Sequence, residues 1–255
     1  MNDQYVHGYS DRESVRLTDQ SITLADLLHH DTVYPEGSTI LEAGCGIGSQ
    51  TCILAKNNPD INIVSLDISP ASLKAAKEAI STRDITNVTF QQGDIFDLPF
   101  EGNSFDHIFI CFVLEHISEP EKALLKLKGV LKPDGTITVI EGDHGSAYYH
   151  PASIHAQRNI ECLIYLQARM GGDSLIGRRL YPLLVDAGLK NVTVSPRFVY
   201  ADASRPYMVE GVKKQALKLK LTDEDTWNRG MRDLYRTADD DGTFCYTFFK
   251  GVGVK

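Results

Sequence analysis

The stretch ILEAGCGIGSQT, Ile40–Thr51, places three glycines within five positions immediately after an apolar run. A strand that runs into such a loop and then into a helix is the opening unit of a parallel α/β sheet, which takes its ligands beyond the carboxyl ends of its strands. The glycines are Gly44, Gly46 and Gly48, a G-x-G-x-G spacing. The dinucleotide fingerprint G-x-G-x-x-G would put its third glycine where this chain has Ser49.

Outward from the loop the same rhythm recurs. INIVSLD (Ile61–Asp67) reads as a buried strand, and Ser69 followed by Pro70 reads as the cap and first residue of a helix. NVTFQQGD is a third strand and FDHIFICFV (Phe105–Val113) a fourth. A Leu/Lys-rich helix from Pro120 to Leu131 ends at KPDG, and TITVIEG (Thr136–Gly142) is a fifth strand. Strands alternating with helices imply a parallel sheet covered on both faces. Before the loop, residues 10–30 read as a helix, with Ser10 and Glu13 at capping-box spacing. After Gly142 the rhythm changes. Residues 151–188 and 206–237 read as mainly helical, the first broken at GGDS, while Asn191–Tyr200 and Thr243–Val252 return to strand.

The 255 residues suffice for one large domain, and 42% hydrophobic content is ordinary for a globular chain. A net charge of −8 gives no expectation of nucleic acid or anionic membrane as a partner, and KKQALKLK (Lys213–Lys220) reads as the solvated face of a helix. Five cysteines, at 45, 52, 111, 162 and 245, with no C-x-x-C spacing, argue against a disulfide framework or a structural zinc site. The expectation is a cytoplasmic protein with neither a metal nor a membrane span.

The acids sharpen the ligand. Glu42 ends the first strand, two residues before Gly44. A carboxylate there repels a pyrophosphate and favours a cation. S-adenosylmethionine fits, with its ammonium, sulfonium and absence of phosphate. Asp67, at the end of the second strand, suits ribose hydroxyls. Asp94, in GDIFDLPF, suits the exocyclic amine of adenine, between the apolar walls of Ile68 and Ile95. Taken singly, a glycine loop is weak evidence, Asp67 is a helix cap and Asp94 a turn residue. One ligand explains them all.

These residues resemble the class I S-adenosylmethionine-dependent methyltransferases. ILEAGCGIGSQT is similar to their first motif, SLDIS to the second and GDIFDLPF to the adenine motif. FDHIFICFVLEHISEPEKALLKLKGVLKPDGTITVIE is similar to the fourth and fifth. Within the class, the chain looks most like the group containing the ubiquinone/menaquinone C-methyltransferases (methyltransferase type 11). The resemblance covers residues 36–142. It implies a Rossmann-like, mostly parallel seven-stranded sheet of order 3-2-1-4-5-7-6, with helices on both faces and helical lid insertions. On that pattern the chain is a single domain. Residues 1–33 are an N-terminal helical cap and 36–142 the cofactor core. Residues 143–190 and 201–242 are helical acceptor-pocket insertions, and 191–200 and 243–252 the terminal strands.

By family position Glu42, Gly44 and Gly46 surround the methionine moiety, Asp67 holds the ribose, and Asp94 with Ile95 the adenine; Cys45 and Ile68 are further candidates to contact the cofactor. Cys111 and Phe112 line the methionine side. Tyr5 and Tyr9 are candidates to close over the cofactor, against the plainer reading of a packed helix. The implied reaction is methyl transfer to a small-molecule acceptor, an in-line displacement in which alignment and exclusion of water do most of the work. A base is needed only for an acceptor whose proton is held tightly. Glu141 and His144, after the fifth strand, are the candidates, beside Asp143. Glu115 and His116, in LEH, resemble a recurrent family feature; His116 is assigned a structural or gating role and His150 a place in a loop. Asp143, His144 and His150 match no metal-ligand spacing. Tyr148, Tyr149, Arg178, Arg179 and Arg205 are candidates to line the acceptor pocket. The alternatives are a nicotinamide oxidoreductase, disfavoured by Glu42 and Ser49, a non-catalytic S-adenosylmethionine-binding protein, and an aminopropyl transferase, for which no added acidic motif is present.

Overall fold

Ile40, Leu41 and Ala43 are fully buried because β1 (Thr39–Ala43) has a parallel neighbour on each side. The computed structural model describes residues 21, 24–200, 211–239 and 241–255. β2 (Asn62–Asp67) and β4 (Phe105–Cys111) flank β1, and β3 (Val88–Gln92) lies outside β2. β5 (Leu131–His150) follows β4 in parallel. β7 (Thr243–Val254) inserts antiparallel between β5 and the edge strand β6 (Lys190–Tyr200). The order is β3-β2-β1-β4-β5-β7-β6, as the family resemblance implies.

Side chains alternate across the strands, so each strand feeds two cores. Ile40, Phe109 and Ile140 face a core that includes Leu54 of α1 (Ser49–Asn57), Leu163 of α4 (Ile154–Arg169) and Trp227 of α7 (Glu224–Arg236). Leu41, Ile108, Ile110 and Val139 face α3 (Pro120–Val130) and α5 (Leu180–Asp186). α2 (Pro70–Ser81) begins as its sequence dictates, with Pro70 in the first turn and Ser69 Oγ accepting the Ser72 N–H at 3.2 Å. The short α6 (Lys213–Lys218) buries only Ala216. Trp227, 2% exposed, docks α7 on α4, and its carbonyl accepts the Asn159 side-chain amide at 2.9 Å. Burying a Trp removes ~150–250 Å² from water, about 4–6 kcal/mol before entropy at ~25 cal/mol per Å².

Several boundaries differ from the sequence expectation. β4 ends at Cys111, because Phe112 takes a left-handed backbone, φ 57°. β5 does not end at Gly142. Its register shifts between Asp143 and Tyr148, after which Tyr148, Tyr149 and His150 pair with Cys245, Phe244 and Thr243. Residues 143–150 are therefore strand rather than the start of a helical insertion, and His150 is a strand residue rather than a loop residue. Of the helix expected over 10–30, residues 21 and 24–29 are described and helical. The Ser10/Glu13 box, Tyr5, Tyr9 and Arg205 lie outside the described residues. Among the described residues no helix is long and apolar enough to cross a membrane.

Candidate functional site

The cleft opens at the carboxyl ends of β1, β2, β4 and β5. Gly44, Gly46 and Gly48 all have positive φ, 85°, 52° and 82°, which L side chains rarely adopt. Their surroundings differ. A Cβ on Gly44 would lie 2.6 Å from Val113 Cγ2, and one on Gly48 3.0 Å from Ala76 Cα of α2. These two positions serve packing. A Cβ on Gly46 would meet no atom within 4 Å, so Gly46 fronts open space.

Of the three acids expected at the strand ends, Asp67 reaches the loop directly. Asp67 Oδ2 accepts the Gly46 N–H at 2.8 Å while Oδ1 accepts the Ser69 N–H at 2.8 Å. One carboxylate thus ties the glycine loop to the start of α2. Gly93 donates its N–H to the Asp67 carbonyl at 3.1 Å, joining the ends of β2 and β3. Asp94 Oδ1 accepts the Phe96 N–H at 2.9 Å and closes its own turn. Ile68 is 57% exposed across from the half-buried Ile95.

Glu42 departs from the simple picture of a permanent negative charge. It is 2% exposed, and its Oε2 accepts the Thr51 hydroxyl at 2.7 Å and the Ser65 hydroxyl at 2.6 Å. Burial outweighs these bonds and pushes the carboxyl up to about 7. Thr51 and Ser65 escaped the sequence reading, although Ser65 stands opposite Glu42 in the β1–β2 register. Cys45 and Cys111 are buried. Burial first, then the fields of Glu141, Glu42 and Glu115, raises the Cys111 thiol well above its ordinary value. Burial keeps both thiols neutral. Phe112 hydrogen-bonds its N–H to the Ile140 carbonyl at 2.9 Å, and its ring centroid lies 5.4 Å from that of Phe248. A bulky residue in the left-handed region marks a site held by its surroundings.

At the ends of β4 and β5 a second group of side chains converges. Glu141 is fully buried, and its Oε1 accepts the Val113 and Leu114 N–H groups at 3.0 and 2.7 Å. It caps the 3-10 turn Leu114–His116. Burial, then the neighbouring Glu115, holds its proton well above the usual carboxylate range. Glu141 thus holds the start of this turn through two backbone amides. His144 is carried on the irregularity of β5, a device that re-aims a side chain. Its Nε2 lies 3.9 Å from Glu115 Oε2, and its Nδ1 3.3 Å from the Tyr246 hydroxyl. His116 Nε2 lies 3.3 Å from Glu115 Oε1. Burial, then Glu115, holds Tyr246 as a phenol.

A strap between α4 and α5 stitches this cluster together. Gln167 Nε2 donates to the Glu115 carbonyl at 3.0 Å, and the Asp173 N–H to the same carbonyl at 2.9 Å. The His144 N–H donates to the Ser174 carbonyl at 2.9 Å. Arg178 grips Asp143 in a bidentate pair, Nε to Oδ2 at 2.7 Å and Nη2 to Oδ1 at 2.8 Å. The GGDS break thus positions Glu115 and His144, a role that composition did not reveal. The described members of the expected acceptor-pocket set have partners of their own or face outward. Arg178 serves Asp143 and Arg179 serves Asp173 at 2.6 Å, while Tyr149 stacks near Phe244 and Tyr148 is 54% exposed. Among the described residues no group of three or more His, Cys, Asp or Glu is placed to hold a metal ion.

Comparison with known proteins agrees with this geometry. A methyltransferase domain model matches residues 35–188, more than half of the chain. A methyltransferase of Schizosaccharomyces pombe is 33% identical over 157 residues, 58% of this chain and 55% of its own. The demethylmenaquinone methyltransferase of Staphylococcus carnosus is 36% identical over 107 residues, 42% and 44% of the two chains. The chain spans about half the length of the curated relatives it matches. Among solved structures, phosphoethanolamine N-methyltransferase 2 of Haemonchus contortus, in complex with phosphomonomethylethanolamine and S-adenosylhomocysteine, superposes with TM-score 0.58 at 16% identity. The match covers 93% of this chain and 52% of that one. A SAM-dependent methyltransferase of Aquifex aeolicus gives TM-score 0.54 at 16% identity, over 95% and 99%. At such identities the likeness speaks for the fold alone, whereas the span of the domain match decides the family. This chain belongs to the methyltransferase domain family.

Proposed function

We propose that the chain transfers the methyl group of S-adenosylmethionine to a small-molecule acceptor. The observation that carries this reading is the charge of the loop. The Gly46 amide, which a pyrophosphate would use, is already taken by the Asp67 carboxylate, and the buried acid Glu42 lies beneath it. That arrangement suits a cationic nucleoside without phosphates and disfavours a nicotinamide dinucleotide. The open space before Gly46 is the cradle that a larger side chain would fill.

On this reading Glu42, Gly44, Cys45 and Gly46 hold the amino-acid end, with Cys111 and Phe112 across from them. Asp67 takes the ribose hydroxyls, and Asp94, Ile68 and Ile95 take the adenine. S-adenosylmethionine supplies an electrophilic methyl group and leaves as a neutral thioether. The chain aligns the acceptor and removes its proton. With Nδ1–H turned to the Tyr246 oxygen, His144 receives the proton on Nε2, and Glu115 at 3.9 Å stabilises the imidazolium. Helices α4, α6 and α7, which share one core beside the sheet, provide the acceptor side.

The test is incubation of the chain with methyl-labelled S-adenosylmethionine and fractionated metabolite extracts. A labelled small molecule that depends on the chain supports the proposal. Tight cofactor binding with no label transferred from any fraction would leave a cofactor-binding protein instead.

A further inference from the structure

Among the described residues, Glu42 is a buried acid with donors but no counter-charge. Both of its hydrogen bonds, from Thr51 of α1 and Ser65 of β2, fall on Oε2 and come from neutral hydroxyls. The titratable groups that face it are Asp67 at the end of β2, Tyr34 before β1, Cys45 in the loop, Cys52 on α1 and Cys111 at the end of β4. None of them is a cation. Glu141 and Glu115 face the same Cys111 and add further acid; Lys250, which also faces Cys111, is paired with Asp31 at 2.7 Å, and Arg83 faces Cys52. An ionised carboxylate in such a place has lost its water and gained no positive partner, so the neutral acid is favoured. The carboxyl accordingly titrates near neutrality, at about 7.

We infer that Glu42 is a proton-coupled charge sensor for the cofactor: the empty chain holds it as the carboxylic acid, and arrival of the cationic ligand expels its proton to the solvent. The inference rests on the cofactor reading given above. It makes Glu42 a specificity-determining residue. In its neutral form it spares the empty cleft an uncompensated charge, and in its ionised form it recognises a cation. The reaction balances as acid plus cationic ligand giving carboxylate–cation complex plus one proton. Affinity for S-adenosylmethionine then falls as the medium acidifies, because protons compete with the ligand for the same carboxyl.

The experiment is calorimetric titration of the full chain with S-adenosylmethionine at pH 6, 7 and 8, in phosphate and in imidazole buffer, whose ionisation enthalpies differ. With the carboxyl at about 7, release is ~0.5 proton per cofactor at pH 7, approaches ~0.9 at pH 6 and falls to ~0.1 at pH 8. Below pH 7 the dissociation constant rises by up to about tenfold per pH unit. In Glu42→Gln the release and the slope disappear. The ligand's own amine titrates alike in both proteins, so the difference belongs to Glu42. Tight binding with equal proton release in the two proteins overturns the inference, as does tight binding to the wild type with none. No binding at any pH removes the cofactor reading itself. A second measurement needs no variant. In the chain labelled with ¹³C at the glutamate carboxyl, one resonance should move from the protonated to the ionised position when S-adenosylmethionine is added at pH 6.5. If no carboxyl resonance moves, Glu42 is not the sensor.

Discussion

Alanine at Gly46 and alanine at Gly48 should separate the binding part of the loop from its packing part. Both glycines have positive φ, 52° and 82°, so each substitution costs ~1–2 kcal/mol for the left-handed backbone. At Gly46 the new methyl meets nothing within 4 Å, and the stability cost stays there. At Gly48 it arrives 3.0 Å from the Cα and Cβ of Ala76. Backbone on α2 must then give way, which adds ~1–3 kcal/mol of overpacking. Cofactor affinity should show the reverse ranking. The Gly46 methyl projects into the cradle, so Gly46→Ala should weaken S-adenosylmethionine binding at least ~10-fold, about 1.4 kcal/mol. Urea denaturation gives the first quantity and calorimetry the second. Gly46→Ala that destabilises as much as Gly48→Ala, or that leaves the dissociation constant unchanged, refutes the division of labour.

Removing the guanidinium with Arg178→Met leaves Asp143, whose side chain is only 3% exposed, without its partner. The loss should be about 2–3 kcal/mol, and the Asp143→Asn/Arg178→Met double variant should cost less than the two single changes added together, as a double-mutant cycle by denaturation would read. His29 is 1% exposed, with Nε2 at 2.8 Å from Gln50 Oε1, and burial lowers it from 6.5 to about 4. The folded chain resists the proton that the unfolded chain binds, so the contribution of His29 is full above pH 6.5 and is lost as pH falls through 4. The loss amounts to about 3 kcal/mol, and His29→Gln should flatten that part of the pH–stability curve.

The sheet was readable because its signals are local. Apolar runs such as FDHIFIC fix buried strands, and Ser69 and Pro70 supply the cap and first turn of α2. The inserted strand was readable only through the family pattern, since nothing local says that Thr243–Val254 pairs antiparallel between β5 and β6. The continuation of β5 was hidden because Gly-Asp-His-Gly-Ser has turn composition. Its pairing with β7 is made a hundred residues away and crosses a shift in register. Site acids were readable as positions, at the ends of successive strands. Their states were not, because ionisation depends on burial. Glu42 and Glu141 share a residue type, yet one takes two hydroxyls and the other two backbone amides. The Arg178–Asp143 grip and the Gln167 contact to Glu115 join residues 35 and 52 positions apart, and composition carries no trace of such pairs.

A crystal structure of the full chain grown with S-adenosylhomocysteine measures most directly whether the loop and its acids form a cofactor site. The ribose should lie on Asp67, the adenine between Ile68 and Ile95, and the amino-acid end over Gly46 beside Glu42. Ligand density away from the Gly44–Gly48 loop, or an empty cleft at saturating ligand, would contradict it.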